Sequence, residues 1–368
     1  AFAMMAPSSL LPLLAAVALA LGGCASPAYY LQAVGGQFEL WRLARPIEAA
    51  QADPAIAAEL RARLAAAARI RDFASSELAL PDNGSFRRYA ALDRPYVVWN
   101  VFAAEEFSVK AREWCFPVAG CVGYRGYFSR AGAEAHAASL RAEGFEVHIG
   151  GVPAYSTLGW FDDPIISTFI HFPQTELARL IFHELSHQVL YASDDTEFNE
   201  SFAVAVEEEG LRRWLAREAD PALHAAFERG QRMRAEFQGL VLGARNRLEA
   251  LYDSDLPKED KRREKARILA GLRQDYEALK AGPWQGFAGF DHWLGQDGIN
   301  NATLTSLSLY HRLVPAFAAL LARHHRDLPR FYAEVKTLTV LPKEERREKL
   351  GLYPERPVRP NRMNGNRP

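Results

Sequence analysis

The sequence predicts an α+β protein that is predominantly helical. From Thr175 onward the chain is almost continuously rich in Ala, Leu, Arg and Glu at helical spacing, and Gln37 to Arg71 shares that pattern. Only the stretch between them carries aromatic and β-branched runs bounded by turn residues. Of 368 residues, 49% are hydrophobic and 24% charged, which suffices for a sizeable core and excludes a disordered, collagenous or polytopic membrane chain. Lys and Arg number 44 against 45 Asp and Glu, a formal net charge of -1, so no long-range field gathers polyanions and nucleic acid is not an expected partner.

The first element in order is not a core element. No charged residue precedes Glu39, and Leu10 to Gly23 is a 14-residue apolar stretch. That is short of the roughly 18 residues that span a bilayer and suits the apolar region of a signal peptide. It ends in Leu21-Gly22-Gly23-Cys24, which resembles the lipobox of bacterial lipoproteins. The resemblance implies cleavage before Cys24 and its acylation. Because no Asp follows Cys24, it also implies an outer-membrane lipoprotein facing the periplasm, held to the membrane through Cys24. A plain secretory signal is the alternative. The expected boundaries are a signal peptide over 1–23, a lipidated linker over 24–36, one domain over 37–355 and a disordered tail over 356–368. Cys115 and Cys121, with Pro117 and Gly120 between them to turn the chain, are expected to form a disulfide in an oxidising compartment. A zinc pair is the rival, but no second pair is present to complete it.

Within the domain, 37–172 reads as a helical start, broken at Arg45-Pro46 and Asp53-Pro54, followed by a small mixed sheet. Tyr96 to Phe102, Tyr124 to Phe128 and Phe145 to Ile149 are its strands. A helix over 133–143, ended by Gly144, joins the last two as a β-α-β unit. The span 173–210 reads as paired helices and 211–280 as a long antiparallel helical arm broken at Ser254 to Pro257. The span 281–355 closes the domain with further helices.

The chemistry sits at His183-Glu184-Leu185-Ser186-His187, an H-E-x-x-H motif on the first paired helix. Residues four apart share a helical face, so both imidazoles can reach one zinc ion while Glu184 addresses a water beside it as general base. Random placement of this composition yields only about 0.03 such motifs per chain, so the match is informative. A catalytic zinc takes a third protein ligand, and Glu197, Glu200 and Glu207 compete for the place. Asp194 or Asp195 could orient a ligand imidazole or simply cap the second helix.

Phe198-Asn199-Glu200-Ser201-Phe202-Ala203 resembles the segment that supplies the glutamate ligand in zinc aminopeptidases of the gluzincin group, which implies Glu200. The spacer of 12 residues from 188 to 199 is shorter than is usual there, and Glu207 fits the longer spacing. Together with Tyr29 to Gln37, Trp114 to Phe128, Ala154 to Pro164 and the H-E-x-x-H helix, the chain resembles the family of predicted bacterial lipoprotein aminopeptidases over most of residues 24–340. The resemblance implies a zincin-like metallopeptidase with one Zn2+ per chain, held by His183, His187 and Glu200, and a peptide or protein substrate. It also implies Tyr310 or His311 from the C-terminal helices as oxyanion donor, and an edge strand over 154–159. The backbone of that strand, at Ala154, Tyr155, Ser156 and Thr157, would bind an extended peptide. An endopeptidase, or an envelope assembly lipoprotein with a structural zinc, is the alternative.

Overall fold

The computed structural model describes residues 27–116, 120–154, 157, 159–294, 298–308 and 313–351. The expected signal peptide, Cys24 and the tail over 356–368 lie outside the described residues. The chain is α+β and mostly helical, with small sheets.

The first elements are helices α1 (Pro27–Leu43), α2 (Ile47–Ala52) and α3 (Ala58–Leu78), with the two-residue strand β1 (Arg45–Pro46) between α1 and α2. The breaks fall at the two prolines, where a helix loses a donor and clashes with the preceding turn. The helical state begins at Pro27, so the segment expected as a linker over 24–36 is mostly helix. The reason is that α1 buries Leu40 and presses Gly36 against Phe128, where any Cβ would lie 2.0 Å from a ring carbon.

Strands β1, β2 (Arg88–Ala90) and β8 (Ile165–Ile166) form one short sheet, with β2 and β8 parallel. The larger sheet has the order β6 (Arg125–Tyr127), β3 (Val98–Ala104), β7 (Glu146–Val152), and both neighbours run antiparallel to β3. Helix α4 (Arg130–Ala142) carries the chain from β6 to β7, capped by Ser129, whose hydroxyl accepts from the Gly132 amide. Strands β6 and β7 are therefore parallel to each other, so the expected β-α-β arrangement is present with β3 between its two strands. The long strand β3 is buried along almost its whole length and takes the central place between the two. Trp99, Val101 and Ala103 pack with Ala133, Ala137 and Leu140 of α4 on one side, while Phe102 and Ala104 meet Ala302 on the other. The remaining strands, β4 (Trp114–Phe116) and β5 (Gly120–Val122), pair as a ribbon in which Cys115 faces Cys121 and is disulfide-bonded to it.

The main core lies where α3 meets α5 (Gln174–Ser186), α6 (Thr196–Glu218) and the C-terminal helices. Gly210 lets α6 approach closely, since a Cβ there would stand 2.7 Å from the Phe182 ring and 2.8 Å from Leu78. The arm is α7 (Pro221–Tyr252) against α8 (Lys258–Ala281). Its seam is Met233, Phe237, Val241, Ala244, Leu248 and Leu251 facing Ile268, Leu272 and Tyr276, spaced by threes and fours. Residues 211–218 belong to α6, which ends at Ala219 in the left-handed region, so the arm begins ten residues later than the composition suggests. After the short helix α9 (Asp291–Leu294), α10 (Asn301–Ser308) ties arm to sheet. The Asn301 amide side chain donates to the carbonyls of Glu105 and Glu106 and accepts from the Tyr252 hydroxyl.

Helices α11 (Val314–Arg323), α12 (Leu328–Thr339) and α13 (Lys343–Gly351) close the core behind α6. Arg346 of α13 is buried and fully engaged. It donates to Asp194 at 2.9 Å, to Asp195 at 3.3 Å, and to the carbonyls of Leu338, Thr339 and Leu341. Asp195 is also the N-cap of α6, accepting from the Phe198 amide. Removing one member of such a buried charge pair leaves the other uncompensated. Arg346→Met is therefore expected to lower the unfolding free energy by about 3 kcal/mol, read as a shift of the denaturant midpoint. An unchanged midpoint would show that Arg347 and Lys343 hold Asp195 without it.

Candidate metal centre

Helix α5 is sorted by its sequence. Leu177, Ala178, Ile181, Phe182 and Leu185 point into the core, which turns Arg179, His183, Glu184 and His187 the other way. The helix ends at Ser186, one turn earlier than its apolar pattern suggests, but His187 keeps a helical backbone (φ -63°, ψ -18°). The four-residue spacing therefore still brings the rings together, with Nε2 of His183 and Nε2 of His187 3.3 Å apart.

Helix α6 brings the carboxylates. Asn199 clamps the connection from α5, accepting from the Ala192 amide at 2.8 Å and donating to its carbonyl at 2.7 Å. The next residue, Glu200, places Oε2 3.2 Å from His183 Nε2 and Oε1 3.8 Å from His187 Nε2. Two turns on, Glu207 approaches the opposite edge of the same ring, with Oε2 2.9 Å from His183 Nδ1. Its Oε1 accepts from Nε of Arg179 at 2.7 Å and from the guanidinium's second nitrogen. The two glutamates that compete in the sequence thus take different atoms of one imidazole. Glu197 instead pairs with Arg347 at 2.8 Å, and Asp194 and Asp195 pair with Arg346.

The donor set fits a divalent cation. Tetrahedral coordination with bonds of about 2.0–2.1 Å separates neighbouring donors by roughly 3.3–3.4 Å, and the cluster shows 3.3, 3.2 and 3.8 Å. With the Nδ1 proton of His183 given to Glu207, its Nε2 lone pair is left facing the imidazole of His187 and a carboxylate. Burial works to lower the His183 imidazole, but its hydrogen bonds to Glu200 and Glu207 outweigh it and hold the ring well above its ordinary range, so either a proton on Nε2 or a metal cation can balance the cluster. His183, His187 and Glu200 can hold that ion, and they form one fewer protein ligand than a closed structural site has.

The local field agrees. Burial works to raise the Glu207 carboxyl, but Arg179 and His183 outweigh it and hold the group at about 2. Burial likewise opposes ionisation of Glu200, and His187 and His183 overcome it, keeping it below the usual carboxylate range. Burial pushes the His187 imidazole down to about 4. Glu184 is pushed up to about 7, first by burial and then by the nearby charges of Glu200 and Asp163, against the pull of His183.

A cavity of about 1230 Å³ reaches His183, Glu200 and Glu207 from the arm side. Its apolar wall includes Phe237, Val241, Leu242, Phe290 and Trp293, and its rim carries Lys110, Arg234, Arg245 and Lys343. Glu184 interacts with the cluster electrostatically, feeling the charges of His183 and Glu200.

Strand β7 ends at Val152, and of the strand expected over 154–159 the residues Tyr155, Ser156 and Leu158 lie outside the described residues. Ala154 is buried, and Thr157 is held by Asp163, which accepts from its amide and its hydroxyl at 2.9 Å each. Tyr155, Ser156, Tyr310 and His311 lie outside the described residues. Sequence reasoning missed Arg179. Its signal was present: an arginine four residues before the first ligand histidine, on an otherwise apolar helix, needs a carboxylate partner.

With this geometry in place, a protein-family model described as "Putative aminopeptidase" matches residues 28–350. The chain belongs to this family. No curated protein and no solved structure matches the chain. A member of an aminopeptidase family acts on peptides, and the family match spans every element that builds the cluster, from α3 beneath α5 to α13 behind α6.

The division of labour between the two glutamates is measurable. Glu200→Ala is expected to remove metal binding. Glu207→Gln, which leaves the ligands in place but weakens the hold on His183, should cost about 10- to 100-fold in affinity. Calorimetric titration with Zn2+ checks both, and a larger loss at Glu207 than at Glu200 would reverse their roles.

Proposed function

We propose that the chain is a zinc-dependent aminopeptidase of the bacterial cell envelope. The observation that carries this reading is the convergence of His183, His187 and Glu200, with a carboxylate, Glu184, one residue after the first ligand, in a chain of an aminopeptidase family. A zinc ion held by those three residues supplies Lewis-acid polarisation of water and of a peptide carbonyl.

The chain's own groups do the rest. Glu184 accepts the proton of the attacking water and delivers it to the departing amine, a transfer worth about 10²- to 10⁴-fold in rate. Glu207 and Arg179 hold the His183 ring so that Nε2 faces the ion. Tyr310 is assigned as the oxyanion donor. The sequence places it between α10, which lines the cavity, and α11, whose Phe317 packs on Phe198 and Phe202 of the helix that carries Glu200. Ala154, Tyr155, Ser156 and Thr157 are the segment proposed to meet the substrate backbone, since Asp163, which fixes Thr157, also acts electrostatically on Glu184. The envelope address rests on the lipobox-like run ending at Cys24 and on the Cys115–Cys121 disulfide, which suits an oxidising compartment.

Glu184→Gln should keep the metal and lose hydrolysis by at least about 10²-fold. The readout is a panel of peptides with free and acetylated N-termini, with metal content measured in parallel. Cleavage restricted to free amines is the expected result, and cleavage of blocked peptides would make the enzyme an endopeptidase. A zinc-loaded wild type that cleaves nothing would contradict the catalytic reading.

A further inference from the structure

Helix α1 is apolar on both of its sides. The inner side is spoken for: Leu40 is buried, Gly36 lies under Phe128, and Gln32 accepts from the Phe128 amide at 2.9 Å. The outer side carries Leu31, Val34, Phe38 and Trp41, which are 72, 67, 62 and 41% exposed. Intervals of three and four make them one stripe along the helix. Trp160 and Phe161, from a loop far along the chain, extend the stripe, with the Phe161 ring 4.5 Å from that of Trp41. Proteins rarely leave so large a contiguous apolar face to water unless it meets a partner.

Three features on the page identify the partner as a lipid surface. The first is distance. The apolar run Leu10 to Gly23 ends just before Cys24, the helix starts at Pro27, and the three residue steps from Cys24 to Pro27 span at most about 11 Å. Whatever holds Cys24 at a bilayer therefore holds the first turn of α1 there too. The second is composition. Trp41, Trp160 and Phe161 supply the aromatic character favoured at the boundary between headgroups and acyl chains. The third is charge. The one carboxylate of the helix, Glu39, is paired with Arg94 at 2.8 Å, while its one cation, Arg42, is exposed in the last turn, where anionic headgroups attract it. Among the described residues no helix is long and apolar enough to cross a membrane, so α1 is suited to lie on the surface and not to span it.

We propose that the outer stripe of α1, with Trp160 and Phe161, docks on the bilayer surface and fixes the orientation of the whole domain. The docking shares the anchoring assigned to Cys24 and is independent of the catalytic reading. It has a consequence for the site. Gly159 packs on Gln188, the residue after His187, with only 3.5 Å between a Cβ there and the Gln188 side chain. The end of α5 that carries the second imidazole is thereby held close to the docked face.

The test uses the full chain reconstituted in vesicles of phosphatidylethanolamine and phosphatidylglycerol whose acyl chains are brominated. Of the seven tryptophans, Trp99, Trp114, Trp214 and Trp284 are buried and Trp293 is half-buried in the cavity wall, so contact quenching by lipid reports mainly on Trp41 and Trp160. Co-sedimentation reads the anchor and quenching reads the face. The expected result is quenching relative to unbrominated vesicles that is lost when Trp41→Phe and Trp160→Phe are combined. It should also be lost when Leu31→Glu, Val34→Glu and Phe38→Glu are combined, with the circular dichroism unchanged. Sedimentation without quenching would leave the anchor standing and overturn the docking. Failure to sediment would overturn both. Shielding of Trp41 and Trp160 from aqueous acrylamide in the absence of lipid would assign the face to residues 1–26 or to a second copy, and would likewise overturn it.

Discussion

The carboxylate of Glu207, shared between Arg179 and His183, is the interaction on which the site depends. A buried glutamate is costly unless charge and hydrogen bonds compensate it, and here both compensating groups come from the facing helix. The guanidinium takes one oxygen and the Nδ1 proton of His183 takes the other. With a proton on Nδ1, the neutral ring would offer its Nε2 lone pair toward His187 and Glu200. One side chain thus bears on the tautomer of His183, the rotation of its ring and the axial offset of α6 against α5. The close approach at Gly210 makes the offset possible, since any side chain there would press on Phe182.

The elements around this pair act as its frame. Asn199 fixes the chain between the two helices, and Asp195 caps α6 while pairing with Arg346 and Arg347 of α13. The position of Glu200, five residues after that cap, is thereby tied to the far end of the chain. On the opposite flank, Asn301 and Lys265 join the arm to the sheet, so the apolar wall of the cavity stands at a fixed place beside the ligands. The sheet itself makes no direct contribution to the cluster. It is the surface on which α1, α4 and α10 assemble.

Much of this was legible in the sequence because it follows from local periodicity. The spacing of His183 and His187 forces a shared face, the prolines at 46 and 54 force breaks, and the arm's seam repeats by threes and fours. What was not legible depended on how elements meet. Glu200 and Glu207 lie on one face of α6, and only the offset between α5 and α6 decides which reaches Nε2 and which Nδ1. The resemblance to a glutamate-ligand segment favoured Glu200, which lies with His183 and His187 in a group that could hold a metal ion. The order of the sheet was not legible, because strand sequence cannot say that β3, buried on both sides, takes the centre. At Thr157 the backbone amide is taken by Asp163, a contact that no local pattern in the sequence announces. The first residues of α1 read as linker because their apolar pattern has no polar face to mark a helix. That absence also leaves Leu31, Val34, Phe38 and Trp41 exposed along one side.

The account joins a cluster that could hold a metal ion, the proton transfer proposed for Glu184 and a family described as "Putative aminopeptidase" into one reading centred on how His183 is held. Anomalous diffraction from crystals of the zinc-loaded protein tests that centre most directly. The account predicts one ion about 2.0–2.2 Å from Nε2 of His183, Nε2 of His187 and an oxygen of Glu200, with Nδ1 of His183 still on Glu207. An ion bound by Glu207, or by Nδ1 of His183, would contradict it.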